Sequence, residues 1–333
     1  MYATFDNVHA MIATGQPLIV AGDEPLLRAL PRGNWIGGTI PYFMTSEGGL
    51  ASKTNLFVTP TPALAQAARI AIYDQDTIAR IAVESPENGY TILILPAFAP
   101  IHQEYALEAP RYDQLFLKVV AGWVAGSHLD DLGKVAPKVI DGRQGHVFEN
   151  QAVALHVSLP VNLRAKVGLV NIFEQGDGPD IRFTASGFAA RECLVDGRLT
   201  RIDESLSPLL ADTRWPLVAN YCGTKCNVSI RDVDLANHRI RFFAPVFEGV
   251  TYRQSRAVAD YPGRFRSAIP QDLKTIAFSC NCIQNYVYGA LEGHRTGALE
   301  GPMTFGEIAY QLVNQTLVYV AIETVSQGRP PAG

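Results

Sequence analysis

The sequence predicts a mixed α+β (α/β) fold made of two related halves, in which mixed β-sheets are flanked by helices. Two observations lead to this prediction. Apolar runs of strand length alternate with helical patterns near both ends of the chain. The middle of the chain carries alternating strand patterns, separated by turns rich in glycine and aspartate. With 333 residues, 47% of them hydrophobic and 18% charged, the chain can bury a large core without disulfides.

The N-terminal elements are predicted in the following order. Residues 17–21 (PLIVA) form an apolar run typical of a buried strand, which ends at Gly22. Asp23 is placed to cap a helix over residues 24–30, and Pro31 stops that helix. Residues 35–42 (WIGGTIPY) are interpreted as a glycine-rich turn, and residues 55–58 as the next strand.

The same order recurs near the C-terminus, with a strand at 274–279, a helix at 281–292 that Gly293 stops, and a strand at 316–323. Between them lies a second glycine turn with the spacing of the first, in which Gly306, Ile308 and Tyr310 correspond to Gly38, Ile40 and Tyr42. The shared order and spacing indicate an internal duplication. We therefore predict halves at residues 1–145 and 146–333, because segment 141–150 is polar and glycine-rich.

The remaining patterns fill the space between these elements. Strands are predicted at 151–159, 166–173, 181–185 and 239–247, where β-branched and aromatic residues dominate or alternate with polar ones. Two further helices are predicted at 62–71 and 112–125.

Composition and charge exclude several classes of protein. A net charge of −4 gives no basic footprint for nucleic acid or for an anionic membrane surface. The first residues do not form a secretory signal, and the longest apolar stretch, 91–101, is too short to span a bilayer. Five cysteines do not make a disulfide framework, so we expect a cytoplasmic protein with reduced thiols.

Cysteine chemistry is the first functional possibility. Ser279, Cys280 and Asn281 lie where the predicted strand meets the predicted helix, a position that lowers the pKa of a thiol and suits an anionic ligand group. Cys280 could then be a nucleophile with His294 as a distant base, or simply a small buried side chain. Four cysteines could also surround zinc or an iron–sulfur cluster, although their spacings are not the usual ones: Cys222, Cys226, Cys280 and Cys282.

Acidic and basic side chains give two further candidates. Glu307 lies in the second glycine turn, where its carboxylate could hold the amine of a ligand or close a capping box with Thr304. In the N-terminal copy of the turn the matching residue is Thr39, which is not acidic. A cluster of four arginines could bind phosphate or carboxylate, and a solvated loop is the alternative: Arg253, Arg256, Arg264 and Arg266.

Three segments together resemble the C-terminal signature of FIST domains: residues 276–280 (IAFSC), 304–308 (TFGEI) and 314–318 (NQTLV). Residues 35–42 resemble the glycine-rich turn of the N-terminal half of the same family. FIST domains are sensory domains that are thought to bind small ligands in signalling proteins, and some are said to carry haem. The chain departs from the family pattern at Asn281 and Cys282, and in the first turn, which lacks an acidic residue. A haem site would need an axial ligand such as His294 or Cys280, and the chain has no haem-attachment motif.

The resemblance implies a stand-alone small-molecule-binding sensory protein, with an amino-acid-like compound among the candidate ligands and with no resident cofactor. The ligand is expected between the two glycine turns, against Gly37, Gly38, Thr39, Tyr42, Ser279, Cys280, Asn281, Thr304, Phe305, Gly306 and Glu307. A signalling protein would be its partner. The alternatives are an enzyme that acts through Cys280 on an amide, ester or thioester, a haem-binding sensor, and a homo-oligomer with a structural role.

Overall fold

The computed structural model describes residues 1–201, 212–221, 224–234, 236–273 and 275–325. Strands make up 44% of these described residues and helices 17%, arranged as several mixed sheets flanked by a few helices, which confirms the predicted mixed α+β class. No helix among these residues has the length and apolar character needed to cross a membrane.

Three units of one topology build most of the molecule. Each unit begins with an outer strand. Two parallel strands connected through a helix come next, and a two-stranded hairpin and a return strand complete the unit. Unit 1 comprises β1 (Tyr2–Ala3), α1 (Phe5–Ala13), β2 (Leu18–Gly22), α2 (Glu24–Ala29), β3 (Trp35–Thr39), β4 (Tyr42–Thr45), β5 (Gly48–Ala51) and β6 (Leu56–Pro60). Unit 2 comprises β7 (Ala67–Tyr73), α3 (Ile81–Glu84), β8 (Gly89–Pro96), α4 (Pro100–Glu108), β9 (Val120–Ala125), β10 (Val139–Asp141), β11 (His146–Phe148) and β12 (Ala152–Ser158).

Unit 3 is interrupted by an inserted domain that follows its first strand, β13 (Leu163–Val170). The insert contains β14 (Ile181–Phe183), β15 (Gly187–Ala190), β16 (Glu192–Val195), β17 (Arg198–Arg201), β18 (Leu217–Tyr221), β19 (Thr224–Val228), β20 (Ile230–Asp234), β21 (Arg239–Val246) and β22 (Thr251–Gln254). After it comes α5 (Tyr261–Ala268), which has the position of α1 and α3 and whose Tyr261 and Phe265 pack with Leu317 and Tyr319 of unit 3. Unit 3 then continues with β23 (Thr275–Cys282), α6 (Ile283–Tyr288), β24 (Gly301–Thr304), β25 (Glu307–Ala309), β26 (Gln311–Val313) and β27 (Leu317–Thr324).

Hydrogen-bond pairing shows that the three units are equivalent. In each unit the two strands that the helix connects are parallel: β2 with β3, β8 with β9, and β23 with β24. The return strand pairs antiparallel with the strand before the helix: β6 with β2, β12 with β8, and β27 with β23. The order predicted at the two ends of the chain therefore occurs a third time in the middle.

Each unit gives its hairpin to another unit. The β4–β5 hairpin of unit 1 pairs with β24 of unit 3, β10–β11 of unit 2 pairs with β3 of unit 1, and β25–β26 of unit 3 pairs with β9 of unit 2. The exchange produces three six-stranded sheets, each with four strands from one unit and two from another. Several sheets thus join strands from both sides of the predicted 145/146 boundary.

A common core holds the three sheets together. The largest apolar cluster contains fully or nearly fully buried side chains from every unit, among them Ile36, Trp123 and Phe278. The inserted domain has a separate core around Phe183, Phe242 and Tyr252, between a six-stranded and a three-stranded sheet. The insert is therefore a module packed on the three-unit body.

Several predicted elements differ from the structure. The helices predicted at 62–71 and 112–125 are wrong, because Ala67–Tyr73 and Val120–Ala125 are strands. The segment 35–42 is not one turn: it contains all of β3 and the first residue of β4. The helix predicted at 281–292 is limited to Ile283–Tyr288, because Asn281 and Cys282 still belong to β23. The strands predicted around 17–21, 55–58, 151–159, 239–247 and 316–323 are confirmed within a few residues.

Candidate functional site

The ends of the parallel strand pairs are the natural places for a site, since ligands of α/β proteins bind in the crevice outside the carboxyl ends of such strands. The pseudo-threefold arrangement creates this position three times. We call the positions the unit-1, unit-2 and unit-3 crevices, after the unit that provides the parallel pair. Polar side chains that lack a hydrogen-bond partner are concentrated at the unit-3 crevice.

The centre of the unit-3 position is the fully buried carboxyl group of Glu307, at the start of β25. Thr316 donates to its Oε2 from the backbone nitrogen at 3.2 Å and from the side-chain hydroxyl at 2.8 Å. Thr304 Oγ1, at the end of β24, lies 3.4 Å from Oε1. Burial raises the pKa of Glu307 to about 8 in spite of these hydrogen bonds, so the group is protonated at neutral pH.

Two thiols accompany this carboxyl group at the end of β23. Cys280 and Cys282 are each 1% exposed, and burial followed by the nearby Glu307 raises both pKa values well above the usual range. Cys280 Sγ donates to the backbone oxygen of Gly122, and Cys282 Sγ lies 3.8 Å from Gln284 Oε1. The expected lowered pKa of Cys280 is wrong, because this residue is inside the strand and not at the start of a helix.

Residues next to the contacts of Glu307 carry unpaired amide atoms: Asn281 accepts from Thr304, Gln284 lies beside Cys282, and Asn314 lies beside Gly306. Among the buried side-chain atoms that lack a hydrogen-bond partner in the described part of the chain are Nε2 of Gln284, Nδ2 of Asn281 and both amide atoms of Asn314. Asn281 uses its Oδ1 to accept from the Cys282 backbone nitrogen and from Asn285 Nδ2, at 2.8 and 2.7 Å. A buried donor without a partner costs about 1–3 kcal/mol, so a group that supplies an acceptor is stabilised here.

Gln284 connects this polar interior with the surface. Its side chain is 7% exposed and lines the unit-3 crevice, a cavity of about 170 Å³. The other lining residues are apolar or aromatic and come from α6, from the inserted domain and from the segments after β9 and β24: Leu129, Leu132, Phe243, Ile283, Val287, Tyr288 and Phe305. No charged side chain of the described residues lines this crevice.

The structure brings together only part of the predicted site. Cys280, Asn281, Thr304, Phe305, Gly306 and Glu307 lie at or directly behind the unit-3 crevice. Ser279 points to another opening, between units 1 and 3, and donates to the backbone oxygen of Glu300. Phe305 lies over Gly126, where an added Cβ would approach its ring to 2.3 Å.

The predicted residues of the first turn lie in unit 1. Gly37 and Gly38 are inside β3, and a Cβ added to Gly38 would lie 2.7 Å from Ile94 and 2.8 Å from Trp123 of unit 2. Gly38 thus allows two units to approach each other. Thr39 faces the unit-1 crevice. The Tyr42 ring packs between two others, His128 at 5.3 Å and Tyr286 at 5.4 Å.

Hydrogen-bond register corrects the alignment of the two turns. Thr39 and Thr304 both end the second parallel strand, and the hairpin starts three residues later, at Tyr42 and Glu307. The structural counterpart of Glu307 is therefore Tyr42 and not Thr39, and Gly306 does not correspond to Gly38. The three identical residues of the sequence match therefore occupy different positions in the two units, as the pairing of the hairpins with β24 and β9 shows.

Other predicted candidates do not converge on a site. Cys280 is buried while His294 is exposed and bonded through Nδ1 to the backbone oxygen of Glu292, so they do not form a nucleophile and base pair. Arg253 and Arg256 form ion pairs with aspartates of the insert at 2.6 and 2.8 Å. Over the described residues, no three His, Cys, Asp or Glu side chains come together as possible metal ligands, and Cys222 lies outside those residues.

Sequence reasoning missed Gln284, Thr316 and Asn314. Gln284 was assigned to a helix without a role, since a lone glutamine carries no motif. The available signal was density: segments 279–285 and 314–316 contain nine polar amide, thiol and hydroxyl side chains, and all nine are buried. Polar residues of this kind are rarely buried together without a structural or functional reason.

The fold and its crevices define a class of protein: a three-unit mixed α+β protein with exchanged hairpins, an inserted β-rich domain, and crevices at the ends of its parallel strand pairs. Over residues 3–323 the chain matches the family described as "Family of unknown function (DUF6976)", and it belongs to that family. Comparison with curated proteins and with solved structures gives no match.

Proposed function

We propose that the protein binds a small uncharged ligand in the unit-3 crevice and reports its presence to a partner protein, as a sensory protein of the cytoplasm. The observation that carries the proposal is the unpaired Nε2 of Gln284, a buried donor on a residue that lines an otherwise apolar cavity. A ligand carbonyl or ether oxygen would satisfy this donor, and the surrounding Phe305 and Val287 would cover an apolar body.

Charge and size limit the class of ligand. The crevice has no charged side chain in its described lining, and Glu307 behind it is neutral at pH 7, so an ion would lose its hydration without compensation. A cavity of about 170 Å³ suits a small compound. Small amides, ketones and esters meet these conditions, whereas a zwitterionic amino acid does not.

Contacts between the crevice and the inserted domain support a signalling role. Phe243 of β21 forms part of the crevice wall. Behind the wall, Ser229 donates to Gln315 Oε1 at 2.7 Å, and Asn227 Nδ2 donates to the backbone oxygen of Asn314 at 3.1 Å. Thr316, which follows Gln315, donates a hydrogen bond to Glu307. A ligand that moved α6 or Phe305 would therefore change these contacts with the insert. The insert would then present the signal to a partner.

The predicted resemblance to FIST domains stays a prediction, and the sensory function proposed here agrees with it. A cytoplasmic location is also part of the proposal, and Cys193, Cys226, Cys280 and Cys282 are present as free thiols. Neither the cysteine-dependent enzyme nor the haem sensor is favoured by an observation at these residues.

Ligand-observed NMR with isobutyramide as the probe tests the proposal. We expect saturation transfer to the amide with the native protein and a loss of affinity of about tenfold or more in Gln284→Leu, which removes the donor but keeps the volume. Gln103→Leu, the same change at an exposed position of α4, serves as the matched control and should bind normally. Equal binding to the Gln284→Leu protein, or no binding of isobutyramide to the native one, would overturn the proposed site.

A further inference from the structure

The geometry points to a second, chemically different site: we propose that the unit-1 crevice binds the primary ammonium group of a small amine through Asp23. The proposal goes beyond the function given above, since it concerns another cavity and another class of ligand. It is carried by the position of this crevice, by the distribution of charge in its lining and by the half-buried carboxylate that faces it.

The position of the crevice repeats that of the unit-3 crevice. It is a cavity of about 400 Å³ outside the carboxyl ends of the parallel strands β2 and β3. Asp23 follows β2, Thr39 ends β3, and Ser127 follows β9 of the neighbouring unit. Lys53, from the segment before β6, and Asp131 close the other side.

The three carboxylates in the lining of the crevice differ in their charge pairing. Lys53 Nζ lies 2.9 Å from Asp131 Oδ2, and Arg28 Nε lies 2.6 Å from Glu24 Oε1. Both of these lining carboxylates are thus matched by a cation. Asp23 forms no ion pair with a side chain of the described residues; it is half-buried, and desolvation raises its pKa while the charge of Lys53 partly opposes this shift. An ammonium group beside it would replace the lost hydration and gain a charge-assisted hydrogen bond.

The floor of the crevice is fixed by neighbouring contacts. Thr39 Oγ1 donates to the Gly126 backbone oxygen at 2.7 Å and accepts from the Lys138 backbone nitrogen at 2.9 Å, which ties β3 to the segment after β9. The His128 ring is stacked on Tyr42, with an angle of 22° between the planes. The polar groups around Asp23 are therefore held in place before a ligand arrives, which lowers the entropy cost of binding.

At the unit-2 crevice the inserted domain packs on the surface. The Phe188 ring lies 5.9 Å from that of His102 on α4, and the Arg231 guanidinium lies over the Phe98 ring at 5.4 Å. The equivalent position thus differs among the three units: it is a charged cavity in unit 1, a covered surface in unit 2 and an apolar cavity in unit 3.

Calorimetric titration with 1,4-diaminobutane and with L-alanine tests the proposal in two arms. We expect at least one of these amines to bind the native protein, and Asp23→Asn to weaken it about tenfold or more, because a hydrogen bond between charged groups is replaced by a neutral one. Asparagine is as good a helix N-cap as aspartate, so α2 should remain folded. Asp6→Asn, at an exposed position in the first turn of α1, is the control and should bind like the native protein.

The arms separate the possible sources of the ammonium group. Binding of the diamine supports recognition of the amine alone, whereas binding of L-alanine only supports a zwitterion whose carboxylate meets Lys53. Failure of both amines to bind the native protein, or equal affinity in Asp23→Asn, overturns the proposal. Gln284→Leu should leave amine binding unchanged, so this result and that for isobutyramide are independent.

Discussion

At the scale of single residues, the buried Glu307 has the largest consequence for stability. Its pKa is raised from 4.5 to about 8, chiefly by desolvation. Between these two values the unfolded chain has released its proton while the folded protein keeps it. The free energy of unfolding therefore decreases as pH rises through this range, by at most about 1.4 kcal/mol per pH unit for one group. Below pH 4.5 the contribution is constant.

Glu307→Gln should remove this part of the pH dependence. The amide has the shape of the protonated carboxyl group and does not titrate, so we expect similar stability at pH 5 and a variant more stable than the native protein at pH 8. Urea unfolding at several pH values measures both. Parallel curves for the two proteins would show that Glu307 is ionised in the folded state.

Burial of the cysteines gives a second prediction at this scale. In the folded protein, iodoacetamide should label Cys280 and Cys282 more slowly than Cys226, which is partly accessible, and all three should react after unfolding. Peptide mass spectrometry assigns the label to each position. Fast labelling of Cys280 in the native state would instead favour the cysteine-dependent enzyme.

The candidate site could be predicted from sequence only in part, for reasons visible at individual residues. Glu307 and Asn281 were found because turns and strand ends carry recognisable polar residues. Gln284 could not be found, because its significance depends on the absence of a partner in three dimensions. The equivalence of Tyr42 and Glu307 was hidden for a similar reason: the register is defined by hydrogen bonds to other units.

At the scale of elements, a strand buried on both faces explains the helix wrongly predicted at 112–125. All six residues of Val120–Ala125 are buried, between β8 and β25, so the segment shows a continuous apolar run and no alternation. Such a run cannot be told from a buried helix by periodicity. Strands with one solvated face, such as Arg239–Val246, keep their alternation and were predicted correctly.

The hairpin given by unit 1 depends on a close approach that only glycine allows. Gly48 has φ +118°, and an added Cβ would lie 2.6 Å from the backbone carbon of Gly293 in unit 3. Gly48→Ala should lower the free energy of unfolding by about 2–4 kcal/mol through strain and steric overlap. Gly15→Ala is the matched control, because Gly15 has φ +79° with nothing within 4 Å of the added atom, and should cost about 1 kcal/mol. Equal losses in denaturant unfolding would show that the contact with unit 3 contributes nothing.

At the scale of the whole molecule, the exchanged hairpins make the three units dependent on one another. Each six-stranded sheet needs strands from two units, and the main core contains side chains of all three. We therefore expect one cooperative transition for the three-unit body, while the inserted domain, with its separate core, can open at lower free energy.

Hydrogen exchange measured by mass spectrometry checks this expectation. Amides in the central strands β2, β8 and β23 should exchange with the same, highest opening free energy, and those of β16 and β17 in the insert should exchange faster. If the strands of one unit exchanged well before those of the other two, the three-unit body would not be a single cooperative structure.

The cyclic exchange of hairpins also bears on how such a sequence can change over time. One unit alone would leave the edge of its second parallel strand open and its hairpin without a sheet, whereas three copies pair each of these strands with a hairpin, as a symmetric trimer of identical subunits would. When the copies are joined in one chain, they no longer need to have the same sequence. The position that opens each hairpin is now a phenol in Tyr42, an isopropyl group in Val139 and a carboxyl group in Glu307. A trimer encoded by one short gene has to repeat the same recognition chemistry three times, but this chain is free to hold a different one in each copy.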